Sequence, residues 1–399
     1  MRATKDSGVK WLGEIPSDWD VVPARALFSN PSEPNKPDDV HLTPSQKYGV
    51  LPQEDYMELS GSRVVLNLSG ADNMRHVNAG DYISHLRSFQ GGLEFSGFDG
   101  KVSAAYTVLR PRCPIDAGYF KHLFKSTMYV QGLQTTTDQL RDGQSIRFGQ
   151  FSLLALPNPP LEEQHAIADF LDRETAKIDK LIAKQEQLIS TLGERRAAVV
   201  ISAVTSKSPA WTLERVGSLT RVLNGFPFDS ETFGMVGDVP LVRIRDIFSS
   251  SFTTFVPLGS VPENAWIRND DIVIGMDGDF NLRLWTRGPA ALNQRVCVLR
   301  SSSPIMSRWL AYCLPHELQR INDLTYATTV KHLASSQVSR IKISVPPDEE
   351  LEQTVRKLDR ETDRIDLLML RAKEMNKLLI ERRQSLISAA VTGKLEVGV

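Results

Sequence analysis

The chain has 399 residues with 47 Lys and Arg against 48 Asp and Glu, a net charge of −1 at pH 7. That balance excludes a polycation, so any nucleic-acid surface must be a local patch, and the length allows two or three domains that each bury a core. Cys113, Cys297 and Cys313 are odd in number and form no CxxC pair, which argues for a reducing compartment and against structural zinc.

The amino terminus, Met1-Arg2-Ala3-Thr4-Lys5-Asp6, lacks the apolar core of a signal peptide. No apolar run approaches the roughly 18 residues needed to cross a bilayer. A cytoplasmic location is therefore expected. The first globular block, residues 1–158, shows short β-branched runs punctuated by Gly, Asp and Asn, the pattern of a β-rich mixed domain with long loops. Gly100 to Ile115 contains no acidic residue and holds Lys101, Arg110 and Arg112. Arg87 and Gln90 sit in a Gly-rich stretch that reads as a flexible loop, and Arg141, Gln144 and Arg147 precede the next element. Arginine and lysine neutralise phosphates or pair with guanine edges, and glutamine or asparagine pairs with adenine, so these are the DNA-binding candidates of this block.

Residues 159–205 read as one long helix. Pro159-Pro160 fits a helix start and Glu162-Glu163 suits the positive end of the macrodipole. Some 40 helical residues would extend on the order of 60 Å. A heptad runs through Leu171, Ile178, Gln185, Leu192 and Val199, with Leu181 and Leu188 at the other seam position. Glu174 and Arg195 also fall on that second row.

The second block, residues 206–345, echoes the first: Gly80-Asp81-Tyr82-Ile83 through Arg110 aligns without gaps on Asp270-Asp271-Ile272-Val273 through Arg300, an offset of 190 (300 minus 110). From Asn281 to Arg300 there is again no acidic residue, while Arg283, Arg287, Arg295 and Arg300 occur with Trp285, Asn293 and Gln294. Asn281, Arg283, Arg287, Asn293 and Gln294, with Arg243 and Arg245 before them and Thr328, Thr329, Lys331 and His332 after, are the DNA-binding candidates here.

The last segment, residues 346–399, repeats the long helix. Pro346 to Thr392 lies on Pro159 to Thr205 without a gap, an offset of 187 (346 minus 159), sharing Leu-Asp-Arg-Glu-Thr at 171 and 358 and Glu-Arg-Arg at 194 and 381. This period far exceeds that of a solenoid, so the chain is a duplicated half-molecule. The second heptad reads Leu358, Ile365, Ala372, Leu379 and Leu386, with Leu368 and Met375. The block between the helices is compact, and the ends of a domain emerge close together, so the helices should pair antiparallel about a pseudo-two-fold. Mirrored unlike charges then predict Glu174 facing Arg382 and Arg195 facing Glu361. The expected fold class is α+β: two globular, β-rich mixed domains joined by two long antiparallel coiled-coil helices.

With these features in place, the sequence resembles the specificity subunits of type I restriction-modification systems. The resemblance is carried by Ser7-Gly8-Val9-Lys10-Trp11-Leu12-Gly13-Glu14-Ile15-Pro16-Ser17-Asp18-Trp19, Pro159-Pro160-Leu161-Glu162-Glu163-Gln164, Gly225-Phe226-Pro227-Phe228-Asp229-Ser230, Gly275-Met276-Asp277-Gly278-Asp279-Phe280-Asn281, Leu292-Asn293-Gln294-Arg295 and Ala390-Val391-Thr392-Gly393-Lys394. It implies that each block reads one half of a bipartite site in double-stranded DNA. It also implies that the helices set the gap and dock two methyltransferase subunits, with restriction-translocase subunits joining in a full complex. The docking candidates are Leu171, Glu174, Ile178, Leu181, Leu188, Leu192, Arg195, Arg196, Leu358, Glu361, Ile365, Leu368, Met375, Leu379, Arg382 and Arg383. In that family S-adenosylmethionine belongs to the methyltransferase partner, so no cofactor is expected in this chain. The second helix departs from the pattern, with Leu351 where the first has Gln164.

Intrinsic chemistry finds little support in the sequence. Asn158-Pro159-Pro160-Leu161 resembles the Asn-Pro-Pro-aromatic signature of adenine methyltransferases but lacks the aromatic residue that would stack on a flipped base. No Walker motif occurs, and the seven histidines are scattered without metal-ligand spacing. Asp271, Asp277 and Asp279 fit turns better than a nuclease centre. The expected function is a non-catalytic DNA reader, and the rival is a coiled-coil scaffold whose end domains bind proteins.

Overall fold

The computed structural model describes residues 2–62, 74–84, 92–134, 147–205, 208–324 and 331–398. They form two compact units, Met1–Glu186 with Lys373–Val399, and Gln187–Ala372. Each unit contains a β-rich block and one part of each long helix.

A four-stranded antiparallel sheet lies at the centre of each block. In the first unit its order is Phe28–Ser29, Val108–Pro111, Tyr82–Ser84, Leu93–Phe95; in the second it is Arg221–Asn224, Val296–Arg300, Ile272–Gly275, Leu282–Leu284. The register is also the same. Tyr82 stands opposite Leu109 as Ile272 stands opposite Leu299, and Ile83 opposite Val108 as Val273 opposite Val298. Alternate residues of a strand point to opposite faces, so a continuous apolar run supplies two cores at once. Ile272, Ile274 and Leu299 enter a helical core, whereas Val273, Val296 and Val298 enter a core beneath a second sheet. Tyr82 and Leu109 divide from Ile83 and Val108 in the same way.

The turn into the central strand is shared as well. Gly80 has φ 99° and Asp270 has φ 67°, a left-handed position that glycine takes freely and aspartate tolerates. Beside it the Asp81 carboxylate accepts from the Asn78 amide at 2.8 Å and the Asp271 carboxylate from the Arg268 amide at 2.7 Å. Arg110 closes on Asp81 at 2.9 Å and Arg300 on Asp271 at 2.7 Å, with carboxylate exposures of 2% and 3%. These two arginines of the acid-free stretches are thus committed to equivalent buried ion pairs.

The long helices run over Leu161–Val204 and Asp348–Val391, 44 residues each. Their starts are fixed by matching contacts: Trp19 Nε1 donates to Glu163 and Trp211 Nε1 to Glu350, both at 2.9 Å. Arg2 also donates to Glu163, at 2.9 Å. Gln164 bonds the Asp116 amide and the Pro159 carbonyl, while Leu351 is simply buried in the apolar core, so the departure in sequence is a departure in contact. Within the first unit the start of the first helix packs with the end of the second, through Ile167, Ala168 and Leu171 with Ile387, Ala390 and Val391. Within the second unit Val199, Val200, Ala203 and Val204 pack near Leu351, Val355 and Leu358. The pairing is antiparallel.

The seam differs in phase from the sequence expectation. Leu171, Ile178, Leu192, Leu358, Ile365 and Ala372 are buried, as expected. The alternating row, however, is Thr175, Ile182, Ile189, Arg196 and Thr362, Met369, Asn376, Arg383, each buried or half-buried. Leu181, Leu188, Leu368 and Met375 are exposed by 48, 45, 43 and 47%. Both rows alternate spacings of three and four, so hydrophobicity along the coil fits either. The domain cores decide, because Gln164, Ala168, Leu171 and Thr175 are buried at the helix start and the stripe continues from them. The expected charge pairs come near one another without a direct ion pair among the described residues: Glu174 bonds Lys177 at 2.6 Å with Arg382 close enough to act on it, and exposed Arg195 and Glu361 line one groove. The inter-helix ion pairs are Arg383 with Asp179 and Arg196 with Asp366, both at 2.8 Å and both related by the repeat.

Candidate nucleic-acid interface

In the second unit the sequence motifs that lie far apart along the chain meet at one end of the central sheet. The strand Ile272–Gly275 runs into a loop in which Gly278 has φ 76° and Phe280 has φ 51°. Phe280 is 2% exposed, so its buried ring fixes a backbone geometry that a bulky residue adopts at a cost. Asp277 and Asp279 are thereby left at the surface side of the loop.

Two further loops close on this one. Met276 donates its amide to the Arg295 carbonyl at 3.0 Å, and Leu333 donates to the Met276 carbonyl at 2.8 Å. The amide of Gly278 reaches Lys331, and Asn322 Nδ2 reaches the Gly278 carbonyl at 3.0 Å. Phe226 donates to the Leu292 carbonyl, and a Cβ on Gly225 would come within 1.8 Å of the Asn293 oxygen, so only glycine allows the loops this close. Asn281, Asn293, Gln294, Lys331 and His332 are thus gathered at one edge. Arg295 joins them: its Nη1 meets Asp277 Oδ2 at 3.1 Å, while His332 Nδ1 meets Asp277 Oδ1 at 2.7 Å. Gln294, Arg295 and His332 are exposed, and Phe226 is 39% exposed.

A second cationic group surrounds the loop after strand Val239–Val242. Arg243 binds Asp246 at 3.0 Å and also Thr254; Arg283 donates to the Ile247 carbonyl at 3.0 Å; Arg287 donates to the Ser250 carbonyl at 3.2 Å and stacks on Phe252 at 3.7 Å. Burial, with Arg283 nearby, pushes the Arg287 guanidinium below its usual range, and its Nη1 is buried without a partner among the described residues. These three arginines hold the segment 246–254 in shape. Beside it Arg245 and Phe248 are exposed, Phe248 by 61%.

The remaining candidates are dispersed. Lys101 lies in the Gly100–Ser103 strand that pairs with Met74–Val77. Exposed Arg147 precedes the short helix Phe148–Leu153, and its amide meets Gln150 Oε1 at 3.3 Å; Ala334 and Gln337 repeat that contact at 2.8 Å, so it does not require the arginine side chain. Arg87, Gln90, Arg141, Gln144, Thr328 and Thr329 lie outside the described residues. Arg295, Asp277 and Phe226 were missed as candidates although they stand in the quoted motifs; what the sequence does not show is that three loops bring them together. Among the described residues no three His, Cys, Asp or Glu are grouped to hold a metal ion, and no helix is long and apolar enough to cross a membrane.

The coil ends also carry a repeated groove. In the first unit about 1060 Å³ is lined by Lys121, His122, Asp172, Thr175, Asp179 and Arg383. In the second about 660 Å³ is lined by Arg196, Val200, Arg308, Tyr312, Asp359 and Asp363. Asp172 bonds His122 at 2.8 Å as Asp359 bonds Tyr312 at 2.7 Å. Burial holds the His122 imidazole below its usual range, with Asp172 opposing, and raises the Tyr312 phenol to about 12.

Comparison with known proteins agrees with this architecture. Residues 210–376 match the family model for the type I restriction modification DNA specificity domain. The chain is 36% identical over 197 residues to the type I restriction enzyme EcoBI specificity subunit of Escherichia coli, covering 49% of this chain but only 41% of that one. A solved structure concerned with complex assembly and conformational transition of the type I R-M system is similar in fold, with a TM-score of 0.76 at 16% identity over 96% of this chain and 99% of that one. The HsdS subunit from Thermoanaerobacter tengcongensis gives 0.52 at 17% identity over 96% and 98%.

Proposed function

We infer that this chain, a member of the type I restriction-modification specificity-subunit family, is the non-catalytic DNA reader of a methyltransferase complex. One observation carries the reading furthest. The two blocks share sheet order, register and the Asp-Arg pair at the strand turn, yet keep little sequence identity outside that frame, whereas the two long helices keep theirs. That is the pattern of one scaffold used twice for two different half-sites. Residues 1–158 and 206–345 would each read one half of a bipartite site in double-stranded DNA. Residues 159–205 and 346–399 would set the gap and dock two methyltransferase subunits.

Physical chemistry supports those roles. The gathered Asn281, Gln294, Arg295, Lys331 and His332 offer donors suited to base edges and phosphates. Leucines on the coil that the seam leaves exposed are a surface that a partner helix would bury. S-adenosylmethionine would be held by the partner, restriction subunits would join where a full complex forms, and a cytoplasmic location fits that assembly.

The test is a genome-wide map of methylated bases in cells expressing this chain with its neighbouring methyltransferase, against cells with the methyltransferase alone. A two-part motif with a constant gap, present only with the chain, is the expected result. Retained methyltransferase binding without any chain-dependent motif would instead make the chain a scaffold. Binding of the purified chain to DNA should also weaken steeply with salt.

A further inference from the structure

We propose that Asp277 is a specificity-determining positioning residue that holds Arg295 and His332 as a preset pair on the reading edge of the second block. The proposal rests on the DNA-reading function and adds to it a device for discrimination. Among the described residues at the junction of the three loops, the Asp277 carboxylate contacts both Arg295 and His332, one through each oxygen. Its side chain is 22% exposed, whereas those of Arg295 and His332 are each 57% exposed, so the carboxylate lies beneath two accessible donors. The loop carrying Asp277 is itself held by the Met276, Gly278 and Leu333 backbone bonds and by the buried Phe280 ring. The pair is therefore set before any ligand arrives.

Two physical consequences follow. A bidentate arginine reads a base edge only if its plane is fixed, and Asp277 leaves most of the guanidinium free while limiting its rotation. A carboxylate beside a DNA backbone also opposes phosphate. Non-specific phosphate contacts must compete with Asp277 for Arg295 and His332, whereas a base edge that satisfies the outward donors need not displace it. Asp277 should thus weaken binding to random DNA and sharpen choice at one half-site, opposite effects that a purely structural residue would not produce together.

The experiment uses Asp277→Asn in the full chain, with Asp277→Glu as the conservative control and Arg295→Gln and His332→Gln as partners. Random-sequence duplex affinity is measured from low to moderate salt, and the methylation map is repeated with the methyltransferase present. The expected result for Asp277→Asn is tighter binding to random duplex and a log-log salt slope steeper by about one. Base discrimination should fall on the order of tenfold at one or more positions of a single half-site. Asp277→Glu should restore much of both, and the Arg295 and His332 variants should relax the same half-site. An unchanged salt slope with an intact motif would overturn the proposal. So would equal damage to both half-sites with a lowered Tm, the signature of a folding role. Absence of any two-part motif with the unmodified chain is a separate outcome and removes the DNA-reading function itself.

Discussion

Arg300 donates to both oxygens of Asp271, a carboxylate with 3% exposure, and Nη2 also reaches the Trp266 carbonyl at 2.7 Å. Removing the guanidinium would leave a buried charge uncompensated, so Arg300→Ala should lower stability by about 3 kcal/mol, measured by urea unfolding. Arg245→Ala, on an exposed side chain with no ion pair among the described residues, should change stability by less than about 0.5 kcal/mol. The same substitution should reduce salt-dependent DNA binding. Equal stability losses would contradict this division of the arginines into structural and accessible groups. The acid-free stretches were legible in the sequence, but partners from outside those stretches were not: Asp271 binds Arg300 and Asp81 binds Arg110 across 29 residues. His122 yields a pH prediction. Its folded pKa is depressed by burial, so below about 6.5 the unfolded chain takes up a proton that the native chain resists. Stability should therefore fall as pH drops through that value. A His122→Gln variant should lose less stability than the natural chain between pH 7 and 5.5; parallel losses would mean that the imidazole does not contribute.

At the scale of elements, helix existence, length and antiparallel pairing could be read from repeat and period, because 44 residues of consistent pattern outweigh local ambiguity. The phase could not. Leu181 and Ile182 are both apolar, as are Leu188 and Ile189, and the choice between them is made at the helix start by the domain core. Strand pairing was legible only in part: the shared run from residue 80 to 110 marked two blocks of one scaffold, while the sheet order depends on contacts too distant in sequence to infer. The seam has a direct test. Leu192 is 8% exposed, and Leu192→Ala should cost about 2–3 kcal/mol in unfolding experiments. Leu188→Glu should leave the isolated chain within about 0.5 kcal/mol of its original stability. If the exposed leucines dock methyltransferase, that second variant should lower its affinity for the partner at least tenfold, about 1.4 kcal/mol. Loss of stability by Leu188→Glu comparable to Leu192→Ala would restore the phase read from sequence.

For the whole molecule, the repeat argues that spacing is a property of the two long helices rather than of either block. Residues 182–188 and 369–375 are equivalent heptads, and deleting both preserves the alternation of three and four along each seam because seven residues return the stripe to the same face. Deleting a single turn from each would rotate the stripe away from its partner and confound spacing with misfolding. At about 1.5 Å per residue the double deletion shortens each helix by roughly 10 Å, about three base pairs at 3.4 Å each. Three base pairs also turn the duplex by about 100°, far more than the roughly 20° by which a heptad drifts, so the methyltransferase guided by the shortened chain should be less efficient. The expected map retains both half-sites with their bases unchanged, separated by a gap shorter by about three. On the proposed function both half-sites are retained, because the deletion touches neither β-rich block. An unchanged gap would show that the blocks, not the helices, fix the distance. Deletion of the heptad from one helix alone should abolish methylation, since the inter-helix pairs Arg196 with Asp366 and Arg383 with Asp179 could not then both form.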